Sequence, residues 1–128
     1  MFFDTNIVIL YLLDTLEERE SSILLEYIIN KNSFISNMVV AEVLAYSGYT
    51  DADFLEVKSL LYKEFKIVYV NEKITIMAAS IARLQKQKTG KKLKLTDAII
   101  AATAIEKNIP LLTLDREDFK NVEGLSLI

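Results

Sequence analysis

Cysteine and histidine are both missing from this chain, and proline occurs only once. Without cysteine there is no disulfide framework and no thiolate nucleophile, and nothing points to secretion. Without histidine, Ser-His-Asp hydrolysis, histidine-ligated zinc and imidazole general bases are excluded together. Acid-base or metal chemistry therefore falls to carboxylates. No apolar run reaches the roughly 20 residues a membrane span needs, and no basic leader opens the sequence, so a soluble cytoplasmic protein is expected. The 128 residues suffice for one domain, expected over 1–128. A chain of that length buries roughly two thirds of its unfolded surface without needing cross-links.

Charge is present in both signs, 18 acids against 15 Lys and Arg, a net of -3 that does not by itself announce a nucleic-acid binder. Its distribution is uneven. Arg83, Lys86, Lys88, Lys91, Lys92 and Lys94 lie in a stretch that holds no acid, giving an acidic protein one basic segment. Taken alone, such a run reads as a solvated helix end, where the helix dipole favours cations.

The pattern alternates strands and helices. Met1–Phe3 is a short buried strand, and Ile7–Leu13 a helix capped by Asn6 or Thr5. Glu17–Asn30 carries Ile23, Leu24, Tyr27 and Ile28 at amphipathic spacing, and Ser33–Ser36 is a second strand. Asn37 is expected to cap a helix over Met38–Tyr46, and Thr50 or Asp51 another that runs to about Phe65. Lys66–Val70 is β-branched and aromatic, a strand, after which Asn71 caps a long helix broken at Thr89-Gly90. Thr96–Lys107 is the last long helix, Ile109–Leu114 a strand, Asp115–Lys120 a turn or short helix, and Leu125–Ile128 an edge strand. Alternation of this kind implies an α/β fold with a parallel sheet covered on both faces.

Most acids sit on polar helix faces, as Glu17, Glu18, Glu20 and Glu56 do. Asp4 instead follows the first strand, at the sheet edge where ligands bind in open α/β folds, although it also stands where it can cap the first helix. Glu42 lies within Met38-Val39-Val40-Ala41-Glu42-Val43-Leu44-Ala45, whose apolar pattern predicts a buried helix, and a buried carboxylate is costly unless paired. Asp97 opens the apolar run Ala98–Ile105, and Asp115 ends Pro110–Leu114, repeating the order of strand then acid seen at Asp4. Gathered above the strand ends, Asp4, Glu42, Asp97 and Asp115 would repel one another unless cations or raised pKa values relieve them. Hard oxygen ligands without histidine or cysteine select Mg2+ or Mn2+. Such a site activates water and steadies the leaving oxygen of a phosphodiester.

These segments resemble the PIN-domain ribonucleases, and within them the VapC-like toxins of prokaryotic toxin-antitoxin pairs. The resemblance runs through Phe3-Asp4-Thr5-Asn6, Val40-Ala41-Glu42-Val43, Leu95-Thr96-Asp97-Ala98-Ile99-Ile100-Ala101-Ala102-Thr103-Ala104 and Leu112-Thr113-Leu114-Asp115-Arg116-Glu117-Asp118-Phe119. Each signature alone is weak, and the four in order are specific. The resemblance implies a three-layer α/β/α domain whose central parallel sheet has four to five strands. It implies a Mg2+- or Mn2+-dependent endoribonuclease that acts on RNA as a homodimer and is restrained by a protein antitoxin. Asp4, Glu42 and Asp97 match the family's metal ligands and Asp115 its more variable fourth acid. Asn6 and Thr113 match residues that support those ligands.

Other classes fit less well. A haloacid-dehalogenase-type phosphatase would need a second aspartate where Asn6 stands, and a receiver module an acceptor aspartate where Val70-Asn71 closes the middle strand. A catalytically inactive PIN-type module that binds RNA or protein is the remaining alternative. Asp118 competes with Asp115 for the fourth position, or caps the segment that ends in Phe119. The basic stretch is expected to meet RNA phosphates. Tyr11, Leu12, Val39, Leu44, Tyr46, Tyr49 and Phe54 supply apolar surface for a dimer or antitoxin contact.

Overall fold

A computed structural model describes all of residues 1–128, and its centre is the short strand β1 (Phe2–Phe3), both residues of which are fully buried. In chain order follow α1 (Thr5–Leu12), α2 (Glu18–Ile29), β2 (Phe34–Ser36), α3 (Asn37–Leu44), α4 (Asp51–Glu64) and β3 (Lys66–Val68). The chain continues through α5 (Glu72–Thr89), α6 (Leu95–Lys107), β4 (Leu111–Leu112) and α7 (Arg116–Phe119). The sheet order is β3-β2-β1-β4 and every pairing is parallel. Helices flank the sheet to give three layers, and a single parallel bridge from Leu111 to Leu127 is all that forms of the expected C-terminal edge strand. β3 and β4 are likewise shorter than the apolar runs that contain them.

Local chemistry explains the boundaries, with two corrections to the expected caps. Asp4, rather than Asn6 or Thr5, is the N-cap of α1, its Oδ1 accepting from Thr5 N at 2.8 Å. Ser36, rather than Asn37, caps α3 by accepting from Met38 N, which frees the Asn37 carboxamide to accept from Val70 N where β3 exits. Each side chain reaches an orphan N–H close to it, so the cap falls two or three residues before the apolar pattern begins. Thr50 and Asp53 form a reciprocal capping box at the start of α4, and Asn71 caps α5. Gly90 ends α5 in the left-handed conformation at φ 73°, which a side chain rarely adopts.

Phe3 anchors the core, with Tyr27 and Phe65 meeting its ring edge-on at centroid separations of 6.4 and 6.1 Å. Ala98, Ala101, Ala102 and Ala104 are buried along α6, small enough to let that helix pack closely, with α5 as its principal neighbour. Val39 belongs to this core and is fully buried, so it offers nothing to a partner. No helix is long and apolar enough to cross a membrane.

Candidate active site

The register of β1 against β4 builds the centre of the site. Phe3 pairs with Leu112, and Asp4 N donates to Leu112 O at 3.1 Å, so the next residues, Asp4 and Thr113, leave the sheet side by side. Thr113 Oγ1 donates to Asp4 Oδ2 at 2.7 Å, while Asp4 Oδ1 takes the backbone N–H of Thr5. Both oxygens of a carboxylate that is only 3% exposed are therefore satisfied. Burial pushes the Asp4 pKa upward; the hydrogen bonds from Thr113 and Thr5 oppose that shift, and the charges of Asp115 and Asp118 add to it.

Glu42 reaches the same place from α3. Thr5 Oγ1 donates to its Oε1 at 3.1 Å, so one threonine bridges Asp4 through its backbone and Glu42 through its hydroxyl. Glu42 is exposed and not buried as its apolar neighbours suggested. Val39, Val40 and Val43 turn one side of α3 into the core, and the small Ala41 and Ala45 share the open side with Glu42. The sequence offered Thr5 as a helix cap and as part of a signature with Asp4, and gave no sign of its bridge to Glu42.

Asp97, in the first turn of α6, is part-buried, and its pKa is raised to about 6. Loss of hydration is the largest cause; the charge of Asp4 adds to it, as do those of Glu42 and Asp118, while Lys94 pulls the other way. Asp97, Asp4 and Glu42, from three different elements, thus share one electrostatic field. Asp115 stands exposed at the N-cap of α7, where Asn6 Nδ2 hydrogen-bonds its Oδ2 and its own N–H donates to Thr113 Oγ1 at 3.0 Å. Asp118 lies inside α7 and does not cap it, because Asp115 already occupies the cap position. Its charge bears on both Asp4 and Asp97, whereas that of Asp115 bears on Asp4.

These carboxylates are neighbours, yet no three of them converge closely enough to make a ready cage for an ion. Their chemistry still suits a hard divalent cation. All donors are oxygens, and the mutual repulsion that raises Asp97 is a local deficit of positive charge.

The basic stretch divides rather than forming one face. Lys86 Nζ folds back to donate to Gly90 O, and Lys88 lies 3.8 Å from Glu123. Lys91, Lys92 and Lys94 make no ion pair and line a cleft of about 270 Å³ that also includes Asp97, Asp118 and Lys120. On another side of Glu42, an apolar groove of about 450 Å³ runs between α1 and α3, lined by Ile9, Leu12, Leu13, Val43, Tyr46 and Tyr49.

The chain is similar to ribonuclease VapC1 of Methanocaldococcus jannaschii, 40% identical over 68 residues that cover 52% of this chain and 49% of that protein. The matched stretch thus spans about half the length of that relative. Among solved structures it resembles VapBC2 from Rickettsia felis bound to a DNA fragment from its promoter. There the TM-score is 0.81 at 22% identity, over 99% of this chain and 96% of the other. A toxin-antitoxin complex from Klebsiella pneumoniae gives 0.74 at 25% identity, over 99% and 94% of the two chains. Residues 1–125 match the PIN domain model, so the three-layer fold and the strand-end acids have a common explanation: this chain belongs to the PIN domain family.

Proposed function

We propose that the protein is a Mg2+- or Mn2+-dependent endoribonuclease, the toxin of a toxin-antitoxin pair, and that Asp4, Glu42, Asp97 and Asp115 hold its metal. One observation carries this reading: the Asp97 carboxyl, pushed up to about 6 first by burial and then by the charges of Asp4, Glu42 and Asp118, shares one site with those acids. Acids gathered where they raise the pKa of a part-buried neighbour, a shift that Lys94 only partly offsets, serve stability poorly, and such clusters mark functional sites. Family membership and the partial match to a ribonuclease support the same reading.

The chain's own residues act by holding oxygens in place. Thr113 and Thr5 fix both Asp4 oxygens, Thr5 also orients Glu42, and Asn6 steadies Asp115. Asp97 releases its proton near pH 6 and so presents a carboxylate at neutral pH. A bound Mg2+ or Mn2+ supplies a water of lowered pKa and neutralises charge on the phosphodiester oxygens. Lys91 and Lys92, beside an acidic centre that would otherwise repel RNA, attract the phosphate backbone.

The apolar groove beside Glu42 suits a protein partner, and we assign it to an antitoxin segment; Leu13 and Tyr46, each 64% exposed, are its largest uncovered side chains. A homodimer is part of the same reading, and light scattering at micromolar concentration tests it. A second reading, an inactive PIN-type binding module, draws on the failure of any three acids to converge.

One assay decides between them. The purified protein is incubated with mixed structured RNAs in Mn2+ and in EDTA, beside Asp97→Asn. Cleavage in Mn2+ alone, lost in the variant, is expected. Wild-type cleavage that persists in EDTA overturns the metal mechanism, and binding without cleavage in Mn2+ favours the inactive module.

A further inference from the structure

The cleft between the end of α5 and α7 has features that phosphate attraction alone does not require. Gln85, on the inner side of α5, is only 9% exposed, and its carboxamide makes no hydrogen bond to the protein, although its backbone carbonyl accepts from Thr89 Oγ1. No buried side-chain polar atom of the chain lacks a partner, so the unbonded Gln85 carboxamide opens to the cleft, where a ligand can reach it. Gln85 and Asn121 both line the cleft of about 270 Å³, and both also line an adjoining depression of about 220 Å³. Two carboxamides thus stand where the hollows meet.

Cations and proposed catalytic acids line the same cleft. Lys120 is taken up by Glu117, while Lys91 and Lys92 make no ion pair and border the cleft. Asp97 and Asp118 close it on the side of Asp4. A phosphate held by Lys91 and Lys92 would therefore belong to the nucleotide adjoining the scissile bond. No aromatic side chain lines the cleft, which removes the stacking platform of sequence-blind single-strand binders. Base contact there is left to hydrogen bonds on exposed edges, the usual way single-stranded RNA is read. The volume is close to the lower end for small-molecule sites, ~300 Å³, so it suits one nucleotide and excludes a duplex.

We propose that this cleft is a base-reading subsite for one unpaired nucleotide of the substrate strand. Lys91 and Lys92 take its phosphate, and Gln85 with Asn121 take its base edge. A carboxamide offers a donor and an acceptor side by side, the complement of the paired donor and acceptor on a base edge such as adenine's N6 and N7. The proposal rests on the ribonuclease reading for its biological meaning, but its test does not use cleavage.

Isotopically labelled protein, free of divalent metal, is titrated with AMP, ribose 5-phosphate and inorganic phosphate and followed by NMR. AMP is expected to shift the side-chain NH2 signals of Gln85 and Asn121, phosphate alone to shift only the backbone amides of Lys91 and Lys92. AMP should bind about fivefold or more tightly than ribose 5-phosphate, the low end of what a bidentate amide-base pair supplies. Gln85→Leu, which keeps volume at a buried position, should bring that ratio close to one while phosphate still binds. Asn121→Ala, at an exposed position, should narrow it without any risk to folding. Carboxamide signals that stay still in AMP, or an unchanged ratio of AMP to ribose 5-phosphate affinity in both variants, overturn the subsite. If RNA is cleaved while the carboxamides are silent, the subsite falls and the enzyme stands; if AMP binds here and no RNA is cleaved, the reverse holds.

Discussion

Asp97→Asn should make the metal-free protein more stable at neutral pH while removing its metal-dependent activity. The carboxyl titrates at about 6 in the folded chain against an ordinary 3.8. At ~1.4 kcal/mol per pKa unit, that difference sets a ceiling of about 3 kcal/mol. Asp97 is only part-buried, so solvent screening reduces the expected effect to about 1–1.5 kcal/mol. A carboxylate whose folded pKa is raised carries no penalty below pH 3.8, where both folded and unfolded chains are protonated. Between that pH and about 6 the unfolded chain gives up its proton first, so stability falls as pH rises, and above it the full penalty applies. Asparagine copies the neutral form at every pH. Urea unfolding in EDTA, compared between wild type and variant, should show the variant ahead at pH 7.5 and level with wild type near pH 4. Adding Mn2+ should reverse the order at pH 7.5, because only wild type gains from binding. A variant that is equally displaced at both pH values, or less stable than wild type at pH 7.5 in EDTA, would refute the reasoning.

Thr113→Val keeps the shape of a buried position but strips Asp4 of one donor, which should cost about 1–3 kcal/mol in urea unfolding. Its Mn2+ affinity, measured by calorimetry, should fall about 10- to 100-fold, as for other residues that orient a ligand. Mn2+ titration of Asp115→Asn and Asp118→Asn separates the two acids of the last turn: the larger rise in half-saturating metal is expected for Asp115, and the opposite order would transfer the ligand role to Asp118. Charge reversal at Lys91 and Lys92 together should flatten the salt dependence of RNA binding by about 1.4 units of slope, at ~0.7 per single-strand contact. An unchanged slope returns them to a solvated surface.

How much could be read in advance depended on whether a feature was local. The order of strands and helices along the chain, a helix start at Thr50, the stop at Gly90 and the parallel sheet follow from short-range pattern and turn chemistry. Glu42 shows where pattern misleads. A helix with alanines on its outer side looks apolar all round, because alanine reads as hydrophobic in a sequence yet covers little surface. The role of Thr5 was invisible for another reason. Its hydroxyl meets a residue 37 positions away, and only the crossing of α1 and α3 brings them together. Gln85 was hidden in the same way, as an ordinary polar residue in an amphipathic helix until α7 closes over it.

The position of Asp4 ties the stability of the sheet to the shape of the site. N-cap side chains usually reach the N–H two or three residues on, whereas Asp4 takes that of the next residue and turns its other oxygen to Thr113. That arrangement depends on Phe3 lying opposite Leu112, since a slip of one residue would send Thr113 to the other face of the sheet. The register is held by Phe2, Phe3, Leu111 and Leu112, all fully buried, and by backbone bonds from Phe2 N to Pro110 O and from Asp4 N to Leu112 O. Two-residue strands have few ladder bonds with which to resist a slip, so the burial of those four side chains must supply the resistance. Truncating the Leu112 side chain should therefore disturb the Asp4 carboxylate, although the backbone bond from Asp4 N to Leu112 O is not itself removed. The apolar core beneath the site is thus what keeps a pair of polar residues in register above it.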